Sequence, residues 1–106
     1  MVKPFYQRTV KGYLNMKKAV KMLVKGTVQG VFFRNFVKEK ADDLNVKGFI
    51  RNLESGDIEV FAEGEIESVD KLCEICKTGP KHAKIKDVSI NESPFQDFKE
   101  FKVLHI

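Results

Sequence analysis

The stretch Lys25-Gly26-Thr27-Val28-Gln29-Gly30-Val31-Phe32-Phe33-Arg34 decides how this chain is read. It joins two segments of different periodicity. Over residues 19–28, Val20, Met22 and Val24 fall on one face and Lys21 and Lys25 on the other, which predicts a strand. Phe33, Val37, Ala41 and Leu44 then recur at helical spacing, with Lys38, Glu39, Asp42 and Asp43 on the other side, which predicts a helix from Arg34 to Leu44. Two glycines lie in the join. Glycine lets backbone N–H groups converge on a ligand. The first turn of a helix adds unpaired donors and a positive partial charge. Arg34 adds a fixed charge and a planar fork of donors. An ordinary strand-to-helix turn has glycines too. An arginine at a helix start, however, opposes the macrodipole by about 0.3–1 kcal/mol. A bound oxyanion explains it better than capping does.

Working outward, the helix is expected to end at Asn45, which takes the left-handed position that closes many helices. Val46 to Leu53 and Ile58 to Ala62 read as a hairpin around Ser55-Gly56. A second helix is predicted from Ser68 to Lys77, with Val69, Leu72, Cys73 and Cys76 inward and Gly79-Pro80 as its stop. Ala83 to Ile90 reads as a strand whose apolar phase slips between Ile85 and Val88. That slip predicts a bulge near Lys86-Asp87. Phe98 to Ile106 is the final predicted strand.

The order is βαββαβ plus a C-terminal strand. Two split βαβ units of this kind build an α+β fold, the ferredoxin-like α/β sandwich, with two helices on one face of a mostly antiparallel sheet. Its first crossover makes the first two strands parallel. The glycine loop and Asn52 then sit at the same edge of the sheet, outside the carboxyl ends of strands where ligands tend to bind. Asn52 is either a turn-former ahead of a hairpin or an amide that holds a water, since it carries both a donor and an acceptor.

The chain has 106 residues, 42% apolar and 32% charged, which suits one globular domain. Residues 1–18 read as an N-terminal extension without periodicity, with Met16 and Met22 as alternative starts, and residues 19–106 as the domain. No apolar run is long enough for a transmembrane helix and no signal peptide is evident, so a cytoplasmic location without a membrane partner is expected. A net charge of +4 favours anionic partners in general. Cys73 and Cys76 make no disulfide framework and fit the apolar stripe of the second helix. His82 and His105 lie outside the motif region and read as surface or structural residues. No His, Cys or carboxylate spacing suggests a metal site, and no Walker A, Rossmann or zinc-protease pattern is present. Lys47-Gly48-Phe49 partly echoes a strand of RNA-recognition domains, but Ile50 and Arg51 depart from that pattern, so nucleic acid is not the expected partner.

The run "GTVQGVFFR", followed by "VKGFIRN" and "SGDIEVFAEG", resembles the acylphosphatase family. A later "GPKHAKIKDV" and the closing "FQDFKEFKVLHI" agree with it, so the likeness covers roughly residues 20 to 106. The resemblance implies hydrolysis of an acylphosphate to a carboxylate and inorganic phosphate, without cofactor or metal, by a single-domain monomer. It implies that Arg34 binds the phosphate oxygens, that the backbone N–H groups of Gly30, Val31, Phe32 and Phe33 complete the cradle, and that Asn52 positions the attacking water. Two alternatives stand beside it: a non-catalytic phosphate or carbamoyl-phosphate binding module of the same fold, and a ferredoxin-like RNA-binding domain.

Overall fold

Alternation of apolar and charged residues is carried through the first strand, β1 (Lys17–Thr27), where Val20, Met22 and Val24 are buried. This is a computed structural model, and it describes residues 16–27 and 30–105. Val28 and Gln29 of the decisive stretch lie outside the described residues, as do residues 1–15. Among the described residues, five strands and two helices follow the expected order: β1, α1 (Gly30–Leu44), β2 (Lys47–Asn52), β3 (Ile58–Glu65), α2 (Ile66–Thr78), β4 (Lys84–Glu92) and β5 (Phe101–Leu104). The sheet order is β4-β1-β3-β2-β5. Only the β2–β5 pair is parallel; the other three are antiparallel. With two helices packed on this sheet, the expected ferredoxin-like α+β fold is the one observed.

The core lies between the helices and one face of the sheet. Val20, Met22 and Val24 of β1, Ile50 of β2 and Ile58, Val60 and Ala62 of β3 meet Phe33, Val37 and Ala41 of α1 and Val69, Leu72 and Cys76 of α2. Burying each large aliphatic or aromatic side chain contributes about 1.5–3 kcal/mol, so this single cluster carries the fold. Cys73 and Cys76 belong to it as free thiols, as the stripe predicts. Burial pushes the Cys76 thiol up to about 12 and raises that of Cys73.

α1 ends as expected. Asn45 has φ 59°, the left-handed region that Asn tolerates best after Gly. Its N–H donates to the Asp42 carbonyl at 3.1 Å, and the Val46 N–H donates to the Ala41 carbonyl at 2.9 Å. Those two bonds are the Schellman pair, and Val46 and Ala41 are both buried beside them. The bulge is also where the lost phase put it: Lys25 pairs with Asp87 but Gly26 pairs with Ile85, leaving Lys86 extra on β4.

Several boundaries differ from the periodicity: β3 runs on to Glu65 rather than Ala62 and β4 to Glu92 rather than Ile90. α1 starts at Gly30, not Arg34: the apolar stripe begins only at buried Phe33, and Phe32 before it is 84% exposed. α2 begins at Ile66 rather than Ser68, directly after β3 with no loop between. The last strand begins at Phe101 rather than Phe98. The buried Glu63 of β3 takes that segment out of the ladder: its carboxylate accepts from the Gln96 N–H at 2.9 Å and the Phe98 N–H at 2.6 Å. The Phe98 ring then packs against Phe49 and Phe61 on the face of the sheet away from the helices.

Candidate active site

Strand register brings the key residues to one edge. Val24 of β1 and Asn52 of β2 both stand opposite Ile58 of β3. β1 and β2 therefore run parallel with β3 between them, and their carboxyl ends lie level. β1 ends three residues before α1 begins, so the N-terminus of α1 opens at the level of Asn52. Asn52 is the last residue of β2. Alternation places it on the same face as buried Ile50, the face the helices cover. Asn52 is exposed, and its amide makes no hydrogen bond to another described residue.

The backbone of Gly30, Val31 and Phe32 forms the first turn of α1. N–H groups in a first turn have no carbonyl of their own helix to bond. No acidic residue stands in that turn, so nothing in the helix itself neutralises the positive end of its dipole. Phe33 is the inward anchor of this turn and is 1% exposed.

Arg34 is the fifth residue of α1, one turn inside the end where the periodicity placed it. The dipole penalty is confined to the first turn, so that argument for a ligand loses force here. Arg34 is only 9% exposed, its side chain held by the surrounding protein. Helical side chains lean toward the N-terminus, which aims this one back at the open turn. Its Nη1 lies 3.4 Å from His105 Nδ1. One turn further, Lys38 donates to the Phe101 carbonyl of β5 at 3.2 Å and pins that side of α1 to the strand.

His105 was read from the sequence as a surface or structural residue, far from the motif. The parallel β2–β5 pairing alters that. Arg51 pairs with Leu104, so one step further along both strands stand Asn52 and His105. Arg34, Asn52 and His105 thus share the carboxyl end of β2 and β5. The only signal in the chain was the final apolar segment itself, and its register is a tertiary fact. Arg51, beside Asn52 in sequence, goes elsewhere: its Nε donates to Glu59 at 2.6 Å on the other face, where Lys21 also meets Glu59 at 3.6 Å.

Among the described residues, no three His, Cys, Asp or Glu side chains are grouped to hold a metal ion. No helix among them is long and apolar enough to cross a membrane.

The chain is a ferredoxin-like α+β domain with a helix start, a buried arginine and an exposed amide at one sheet edge. Comparison with known proteins says to which family it belongs. The acylphosphatase family model matches residues 20–103. The acylphosphatase of Rubrobacter xylanophilus is 46% identical over 77 residues, covering 73% of this chain and 70% of that protein. The structure of an acylphosphatase from Coxiella burnetii superposes with a TM-score of 0.79 at 38% identity, covering 83% of this chain and 93% of that one. The crystal structure of full-length HypF in its phosphate- and nucleotide-bound form contains a similar domain, with a TM-score of 0.75 at 26% identity; the match covers 85% of this chain and 12% of that one. This chain belongs to the acylphosphatase family.

Proposed function

We propose that this protein hydrolyses the carboxyl–phosphate bond of acylphosphates by in-line attack of a water held by Asn52, on a phosphate held by Arg34 and the first-turn N–H groups of α1. Family membership supports the hydrolysis. The observation that carries the roles is the shared edge: a buried arginine, an open helix start and an unspent amide at the carboxyl ends of β1 and β2.

Each part has a chemical reason. The guanidinium fork matches two phosphate oxygens at once. The N–H groups of Gly30, Val31 and Phe32 face the same anion, with Phe33 closing the turn behind them. Asn52 offers an acceptor for a water proton and a donor for a phosphate oxygen. It is no base, and none is required. The leaving group is a carboxylate, stable without protonation near neutral pH, and the water's proton passes to a phosphate oxygen as the P–O bond to the acyl group breaks. Phosphoryl transfer then asks for positioning and charge stabilisation, which these residues supply without a metal. His105, against Arg34, holds the guanidinium in place rather than touching the reacting atoms.

The test is benzoyl phosphate turnover with and without EDTA, for wild type and Arg34→Ala. The expected result is EDTA-insensitive turnover that the variant loses. Folded wild-type protein that binds phosphate but releases no benzoate would replace this reading with a binding module.

A further inference from the structure

One large apolar side chain near the site has no part in the chemistry above. Phe32 is 84% exposed, more than any other large apolar side chain among the described residues. A lone exposed ring is ordinary on a protein surface. This one belongs to the first turn of α1, whose N–H groups are assigned to the phosphate. Helical side chains lean toward the N-terminus, which carries the ring past that turn.

Its side of the helix is set by its neighbours. Successive helical residues turn by about 100°, so Phe32 and Arg34 flank the buried Phe33 on opposite sides. Arg34 and Lys38 take the side of β5, where they meet His105 and the Phe101 carbonyl. Phe36, one turn on from Phe32, takes the side of α2. There, with Lys40, it lines a groove of about 360 Å³ against Glu74, Ile75 and Thr78 of α2 and the Gly79 that follows. The groove opens toward the edge that holds the site. Gly79 packs so closely on Ile85 that a Cβ would lie 3.1 Å from Ile85 Cγ1, and Ile85 pairs with Gly26 near the end of β1. Phe32 and Phe36 thus form an aromatic wall that leads from the start of α1 toward α2.

In-line displacement fixes where the acyl group goes. The attacking water and the leaving oxygen lie on opposite sides of phosphorus. Asn52, which holds the water in the reading above, ends β2 and stands with Arg34 and His105 on the β5 side of α1. The leaving carboxylate is then directed away from β2 and β5, to the side that Phe32 occupies.

We propose that Phe32 is the acyl platform of the site and gives it a preference for acylphosphates whose acyl group is aromatic or similarly broad and apolar, with Phe36 extending the platform. The proposal rests on the hydrolase reading above. The substrate ring lies against the Phe32 ring and covers apolar surface that otherwise faces water. The contact is the same before and during bond breaking, so the preference sits in KM rather than kcat.

The experiment measures kcat and KM for benzoyl phosphate and acetyl phosphate on wild type, Phe32→Ser and Phe32→Tyr. Circular dichroism checks that each protein is folded. The ratio of the two substrates, compared between proteins, cancels their intrinsic reactivities and any change at the backbone of the first turn. A contact between two rings is worth about two- to tenfold. The benzoyl-to-acetyl ratio of kcat/KM is expected to fall by that factor in Phe32→Ser, through a higher KM for benzoyl phosphate, and to be restored in Phe32→Tyr. A ratio that survives Phe32→Ser overturns the platform. Equal loss on both substrates assigns Phe32 to the phosphate cradle through its backbone and also overturns it. A fall in the ratio that appears in kcat alone, with KM for benzoyl phosphate unmoved, overturns it as well. No turnover of either substrate by folded wild type overturns the hydrolase reading, and the platform with it.

Discussion

The two ends of α1 are finished in opposite ways. At the C-terminal end the chain completes itself: Asn45 turns left-handed, and two backbone bonds take up the Asp42 and Ala41 carbonyls. At the N-terminal end the helix offers Gly30, Val31 and Phe32 N–H groups with no acidic side chain in the first turn, and a buried arginine one turn behind. A helix needs both ends satisfied to be stable. The end satisfied from within serves the fold; the other end is the one to which the proposed chemistry assigns the phosphate. The two arginines part ways across the sheet: Arg51 is held by Glu59 on the far face, while Arg34 lies on the helix side beside His105.

Substitutions at the two ends should therefore fail in different assays. Arg34→Lys exchanges a bidentate fork for a point charge, and kcat/KM on benzoyl phosphate is expected to fall by about a thousandfold with little change in melting temperature. Activity equal to wild type would remove Arg34 from the cradle. Asn52→Ala comes next. Loss of a group that acts on the attacking water is expected to lower kcat by about a hundredfold while inhibition by inorganic phosphate is nearly unchanged. Parallel losses in both would place Asn52 in ground-state binding instead. At the closed end the readout is stability. Asn45→Val forces a β-branched residue into the left-handed region and should cost about 1–2 kcal/mol in urea denaturation, while Asn45→Gly costs nothing and stabilises slightly. Normal kcat/KM in both variants would keep the ends separate, and a lost kcat/KM would join them.

The smallest expected effect comes from the core. With its pKa pushed up to about 12, the Cys76 thiol stays protonated in the folded chain where an unfolded thiol ionises near 9.0. The unfolded state then loses protons that the native state keeps, so this contribution to stability is intact below pH 9 and declines as pH rises toward 12. Native protein at pH 8 should resist thiol labelling at Cys76 until denaturant is added. Rapid labelling without denaturant would mean that α2 opens readily.

Local signals were legible where one residue type answers one backbone demand. Asn45 marked the end of α1, and the phase slip at Lys86 marked the bulge. Cys73 and Cys76 fell on the stripe that packs. Signals failed where packing overrode pattern. The stripe of α1 begins only at Phe33, so periodicity gave no sign of the helical residues before it. Phe98 alternates like a strand residue, but Glu63 captures its N–H and its ring joins Phe49 and Phe61 instead.

His105 is the clearest case of information that no local pattern holds. It stands 71 residues from Arg34 along the chain and 3.4 Å from it in space. Periodicity, turn chemistry and charge are properties of neighbours in sequence, and they were enough for the elements and their order. Which strand end lies beside which is decided by long-range pairing. The parallel register of β5 on β2, the seating of α1 over both, and the meeting of Arg34, Asn52 and His105 at one edge exist only once the core has closed.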